Sequence, residues 1–171
     1  TQDKVSFTYG RVDIRAALPK GQGIWPALWS LGANFATVGW PRSGEIDIME
    51  MIGGSGREDT VHGTAHWQDS GGVKRDLRDS YTLSGNATLA DGFHVYSLVW
   101  TSQSLTWYID DIQYHSMSLN ESEDLSAFQK PFFLIFNVAV GGNWPGSPNS
   151  NTQFPQSMLV DYVRVFTEGG T

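Results

Sequence analysis

Short runs in which apolar and polar residues alternate fill most of this chain, and that period of two limits the fold more than any other feature. Val12, Ile14 and Ala16 are separated by Asp13 and Arg15, and Val5, Phe7 and Tyr9 by Ser6 and Thr8. Such spacing puts one set of side chains on each face of a strand. It predicts strands over both runs and over residues 25–31, 45–51, 61–67, 95–100, 105–109, 112–117, 132–140 and 158–166. Gly10 and Pro19-Lys20-Gly21 punctuate the first runs, and Asp110-Asp111 reads as a two-residue hairpin turn. Helical periodicity is confined to a short turn within residues 119–128, with Asn120 or Ser122 as its cap. Without repeats or linker-like stretches, residues 1–171 read as one domain. Many short strands with frequent turns predict an all-β, antiparallel β-sandwich (jelly roll) whose concave face forms a substrate cleft for an extended polymer.

One strand carries unusual charge. Gly44-Glu45-Ile46-Asp47-Ile48-Met49-Glu50 places three carboxylates in six residues, interrupted by Ile46, Ile48 and Met49. Acids in a solvated turn sit among polar neighbours, whereas these read as the outer face of a strand whose other face packs on a core. Glu45 and Asp47 share a face by alternation, but Glu50 has the opposite parity. One extra residue, a β-bulge at Ile48-Met49, returns Glu50 to the side of the other two. Crowded carboxylates repel one another, so one is held protonated while another stays ionised. Acid-assisted cleavage of a glycosidic bond needs that pair of states.

Overall charge narrows the partners. The net charge is −7, with no Lys/Arg cluster, which argues against a nucleic-acid ligand and disfavours polyanionic substrates. A neutral sugar polymer meets no such repulsion. The longest apolar run, residues 132–136 continuing past Asn137 to Val140, is far short of the ~20 residues that span a bilayer, so no membrane partner is expected. The chain has no cysteine, so disulfides do not hold it together, and secretion is not excluded by that.

Seven tryptophans suit a sugar cleft, because an indole offers an apolar face and an N–H donor. Trp100 and Trp107 lie in strongly apolar strands and read as core. Trp25 and Trp29, four apart, share a strand face and are assigned to the cleft. Trp40 precedes Pro41 in a loop just before the acidic strand, and Trp144 lies in Gly141-Gly142-Asn143-Trp144-Pro145-Gly146; both are read as binding residues. His62 and His66 have a helical zinc spacing, but on a strand they stand roughly 13 Å apart, too far to share a metal. His66 either faces the acids from a neighbouring strand or is an ordinary satisfied histidine.

Taken together, Tyr9-Gly10-Arg11, residues 19–29, 44–50, 62–67 and 137–146, and Asp161-Tyr162-Val163-Arg164-Val165 resemble family sixteen of the glycoside hydrolases, in its laminarinase-like branch of endo-β-1,3-glucanases. The resemblance runs nearly end to end. It implies a jelly roll and a retaining double displacement on β-glucan, with Glu45 as nucleophile, Glu50 as acid/base and Asp47 assisting between them. Trp25, Trp29 and His66 match cleft positions. Two alternatives stay open: a non-catalytic β-glucan-binding protein, or a hydrolase of another polysaccharide such as mixed-linkage glucan, agar or carrageenan. No cofactor is required. Structural calcium is possible by resemblance, with Asp161 as one ligand. The resemblance also implies further N-terminal strands before Tyr9, so either a missing N-terminal segment or a second chain completes the fold, or the fold is pared down. The expected location is extracellular.

Overall fold

The computed structural model describes residues 1–120 and 125–167. Among these residues the strands are β1 (Gly10–Ala17), β2 (Ile24–Gly32), β3 (Glu45–Glu50), β4 (Thr60–Gln68), β5 (Lys74–Thr82), β6 (His94–Trp100), β7 (Ser104–Ile109), β8 (Ile112–Ser118), β9 (Phe132–Val140) and β10 (Leu159–Phe166). They form two five-stranded sheets, ordered β5-β4-β3-β2-β9 and β10-β1-β6-β7-β8. All the pairings are antiparallel, and the sheets form the expected sandwich. We call the first the cleft sheet and the second the back sheet. A four-residue helix, α1 (Phe35–Val38), leads into the loop before β3. Among the described residues no helix is long and apolar enough to cross a membrane.

The core lies between the sheets, and its buried strand residues come from strands other than β5 and β10. Val12, Ile14 and Ala16 of β1 are fully buried, as are Trp100 of β6 and Leu105, Trp107 and Ile109 of β6's neighbour β7. They join one cluster with Leu28, Ile46, Ile48, Met49, Val61 and Ala65 of the cleft sheet. Burial of each large side chain contributes roughly 1.5–3 kcal/mol. Trp100 is a core residue, as read from the sequence, and its indole N–H donates to the Phe128 carbonyl at 2.9 Å.

The hairpin reading of Asp110-Asp111 holds. Both residues adopt positive φ, 47° and 63°, as a type I′ turn requires. Asp110 suits that position because its carboxylate accepts the Val95 amide at 2.8 Å and pairs with His94 Nδ1 at 2.6 Å.

Three local expectations need correction. Val5, Phe7 and Tyr9 do not make a strand: Phe7 forms only an isolated bridge to Phe132, and Tyr9 and Gly10 adopt positive φ. The alternation there serves ring packing instead, with Phe7 and Tyr9 both set edge-on to Trp100. The helical turn is a 3-10 helix over Ser126–Gln129, preceded by Leu125 with no side-chain cap; Ser122 lies outside the described residues. Strand β5 was not expected. Its Lys74, Arg75, Asp76, Arg78 and Asp79 obscure any alternation, and charge on an edge strand discourages pairing with other chains.

The sandwich is open along one side. Val160, Val163 and Val165 of β10 pair with Ala16, Ile14 and Val12, so they point inward with those buried residues. They are nonetheless 39%, 39% and 38% exposed. Val140, at the end of β9, pairs with the buried Ile24 and is 55% exposed. β9 and β10 are the edges of their sheets, so an apolar seam runs between two edge strands.

Candidate active site

The acids stand on β3, the middle strand of the cleft sheet. Against β4 the register runs Glu45–His66, Ile46–Ala65 and Asp47–Thr64, then jumps to Glu50–His62. Three steps on β3 therefore match two on β4. Against β2 the shift falls between Leu28 and Trp29, which pair with Met49 and Asp47, so Ile48 is the additional residue. The bulge sits where the sequence placed it. Ile48 and Met49 both turn into the core, at 1% and 0% exposure, and Glu50 emerges on the side of Glu45 and Asp47.

The central acid is the deepest. The Asp47 side chain is 6% exposed against 18% for Glu45. His66, on β4, faces both: its Nε2 lies 3.2 Å from Asp47 Oδ2 and 3.8 Å from Glu45 Oε1. The structure thus brings His66 to the acids from the neighbouring strand. The Trp25 indole N–H donates to Glu50 Oε1 at 3.0 Å. From the back sheet, the Trp107 indole N–H donates to the Asp47 carbonyl at 2.8 Å, so this core tryptophan also reaches the bulge.

Burial dominates the electrostatics. It pushes Glu50 up to about 8, with the Asp47 charge adding to the effect and the Trp25 hydrogen bond opposing it. Burial also raises Glu45 to about 7, again helped by Asp47, and raises Asp47 itself to about 7. His66 is lowered, chiefly by burial, against the pull of Glu45. An imidazole pushed down beside carboxyls pushed up favours an uncharged pair over an ion pair. All three acids are thus held above the usual carboxylate range, mainly by burial.

Two hollows meet at the acids. One, about 200 Å³, lies over β2 and β9 and is lined by Trp25, Trp29, Asn137 and Ala139 together with the three acids. The other, about 340 Å³, lies over β4 and β5 between Trp40, Trp144 and Lys74, and shares the acids. The five binding residues expected from sequence, Trp25, Trp29, Trp40, His66 and Trp144, all line one or both. Trp29 is steadied by its N–H donating to Asn137 Oδ1 at 2.7 Å. Trp40 and Trp144 are 43% and 41% exposed, and the Lys74 ammonium lies over the Trp40 ring at 4.6 Å. The Trp144 ring stands edge-on to Trp25 and His62, at 5.4 and 5.0 Å.

Similarity to known proteins follows this geometry. A match to Glycosyl hydrolases family 16 spans residues 1–164. The chain belongs to that family. Among solved family 16 relatives, the laminarinase catalytic domain of Thermotoga maritima MSB8 superposes with a TM-score of 0.88 at 46% identity, covering 99% of this chain and 68% of that one. Curated relatives include glucan endo-1,3-beta-glucosidase A1 of Niallia circulans, 40% identical over 98% of this chain and 26% of its own length. A beta-glucanase of Rhodothermus marinus is 39% identical over 97% of this chain and 60% of its own length. The chain thus spans between about a quarter and three fifths of these curated relatives.

Site residues beyond the sequence reading are His62, Asn137, Lys74, Asp76 and Arg78. His62, Thr64 and His66 share one parity of β4, a signal the sequence did contain. Asp161 is bound by Arg15 Nη1 at 2.7 Å, and a guanidinium on the carboxylate is the wrong neighbour for a divalent cation. Among the described residues Asp161 belongs to no cluster of three His, Cys, Asp or Glu side chains. Glu45, Asp47 and His66 do bring one donor atom each within 4.8 Å of one another.

Proposed function

We propose that this chain is a retaining endo-glycosidase that hydrolyses β-1,3-glucan of the laminarin type. The observation that carries the proposal is the bulge that turns Glu50 to the side of Glu45 and Asp47, at the junction of two indole-lined hollows. A glucan chain lies across the strands, with sugars in both hollows and the scissile bond over β3. Glu45 attacks the anomeric carbon while Glu50 gives its proton to the leaving oxygen. Glu50, now ionised, takes a proton from water, and that water releases the sugar from Glu45. Direct attack requires the two carboxyl groups about 5–5.5 Å apart. Asp47, with Oδ2 3.2 Å from His66 Nε2, stands between them and absorbs the change in charge as the proton moves. Trp25, Trp29, Trp40 and Trp144 hold sugar rings by their apolar faces.

The chemistry uses carboxyl groups alone and calls for no cofactor. The substrate is a neutral polymer too large to cross a bilayer, which supports action outside the cell, away from nucleic acid and membrane. The apolar seam between β9 and β10 supports a further partner for this fold, either another segment of polypeptide or a second chain laid against the two edges.

Incubation with laminarin, lichenan, agarose and carrageenan, followed by product sizing, tests the proposal. Oligosaccharides from laminarin are expected, with loss of about 10³-fold or more in rate for Glu45→Ala and Glu50→Ala. Binding without products would indicate a glucan-binding protein. Release of products from agarose or carrageenan alone would move the substrate away from glucan.

A further inference from the structure

The bulge costs β3 part of its regular pairing with β4. The register passes from Asp47–Thr64 to Glu50–His62, and the backbone between these pairs is buried. Buried carbonyls left without donors are expensive, on the order of 1–3 kcal/mol each. Here the donors come from the opposite sheet. Trp107 of β7 gives its indole N–H to the Asp47 carbonyl at 2.8 Å, and Tyr114 of β8 directs its hydroxyl to the Ile48 carbonyl at 3.5 Å. Trp107 is fully buried and is held flat against His115, with ring centroids 4.4 Å apart.

Gly63 of β4 makes room for both rings. A side chain there would start 2.6 Å from Tyr114 Oη and 2.7 Å from Trp107 Cδ1. Gly63 has no positive φ, so the glycine answers a need for space rather than for an unusual backbone.

We propose that Trp107 and Tyr114 are positioning residues for the acid triad, although neither lines the cleft. By fixing the carbonyls of Asp47 and Ile48 they set the path of the bulge, and so the aim of Glu50 relative to Glu45. This rests on the glycosidase reading above.

The test compares Trp107→Phe, which keeps a ring but removes the donor, with Trp100→Phe. Trp100 is equally buried and donates to a backbone carbonyl, but that carbonyl belongs to Phe128, away from the bulge. The expected result for Trp107→Phe on laminarin is a fall in kcat of about ten-fold or more with KM little changed, since small misplacements of reacting groups carry penalties of that order. The alkaline limb of its pH profile should move with the altered surroundings of Glu50. Trp100→Phe should lower the melting temperature and leave kcat and the pH profile alone.

Carboxyl ¹³C NMR of Glu50 gives a readout that needs no turnover, and its midpoint should shift in Trp107→Phe only. Should Trp107→Phe fail to fold, Tyr114→Phe is judged by the same measurements, with a smaller shift in the same sense. A wild-type kcat, pH profile and Glu50 titration in the folded variant would overturn the proposal. An inactive wild type would sink the glycosidase reading, while the NMR comparison would still decide on the anchor.

Discussion

Asp47 and Glu50 share a face of β3 although they are three residues apart, because their partners Thr64 and His62 are only two apart. Parity therefore decides the fate of Glu50. Deleting Met49 leaves a two-residue step from Asp47, which keeps the glutamate in the cleft. Inserting one alanine after Met49 makes the step four residues, which in a regular strand also faces the cleft but sets the glutamate opposite Thr60 rather than His62, one pair further from Glu45. The deletion is expected to keep more activity on laminarin than Glu50→Gln, at a cost of about 2–5 kcal/mol for the lost core side chain. The insertion is expected to match Glu50→Gln in activity. Equal inactivity of deletion and insertion would contradict this register argument.

The Trp25 hydrogen bond gives a pH prediction. In the proposed mechanism Glu50 acts in its protonated form, so the rate should fall as pH rises through about 8. The Trp25 N–H favours the charged carboxylate, and removing it in Trp25→Phe should move this limb upward. A limb that stays in place or moves downward in a pH–rate profile would show that another group controls it.

The same burial links the site to stability. Glu50 is raised from 4.5 to about 8, so the folded chain binds a proton that the unfolded chain has released between those values. Its contribution is fully present below about 4.5 and is lost as pH rises through about 8. Glu50→Gln is thus expected to gain on the order of 1–3 kcal/mol relative to the parent at pH 9, and little at pH 4. Denaturant titrations at the two pH values measure this. A gain independent of pH would remove burial of the charge as its cause.

Arg57 ties the Trp144 loop to its neighbour. It donates to the carbonyls of Gly53 and Gly54 at 3.2 and 3.0 Å, and to those of Trp144 and Pro145 at 3.4 and 3.3 Å. Arg57→Ala should raise KM several-fold with kcat nearly constant, and the effect should largely vanish in a Trp144→Ala background. Additive effects in that double-mutant cycle would mean that Arg57 acts elsewhere.

The seam beside β10 should bind an apolar dye. Anilinonaphthalene sulfonate fluorescence is expected with the folded chain and should weaken in a Val163→Thr, Val165→Thr double variant. Unchanged fluorescence would place the dye on another surface.

The acids were legible because Ile46, Ile48 and Met49 sit where a solvated turn would carry polar residues, and because Glu50 breaks parity. Trp25 and Trp29 were legible by their four-residue spacing on β2. β5 was not, since an edge strand with solvent on most of its surface has no reason to alternate. His62 stayed unassigned because its neighbour, Trp144, arrives on a distant loop. The second task of Trp107 was equally hidden. Nothing in a run of apolar residues tells which indole N–H will meet a bent backbone on the opposite sheet.

The acids occupy the third of five strands, flanked by two neighbours on either side. Sheets fray from their margins, and amide exchange is slowest where every backbone group is paired or walled in. On gentle warming, β5 and β10 should exchange their hydrogens early while β3 stays protected. Turnover would then vanish only with the cooperative melt of the whole sandwich, with no earlier, separate inactivation.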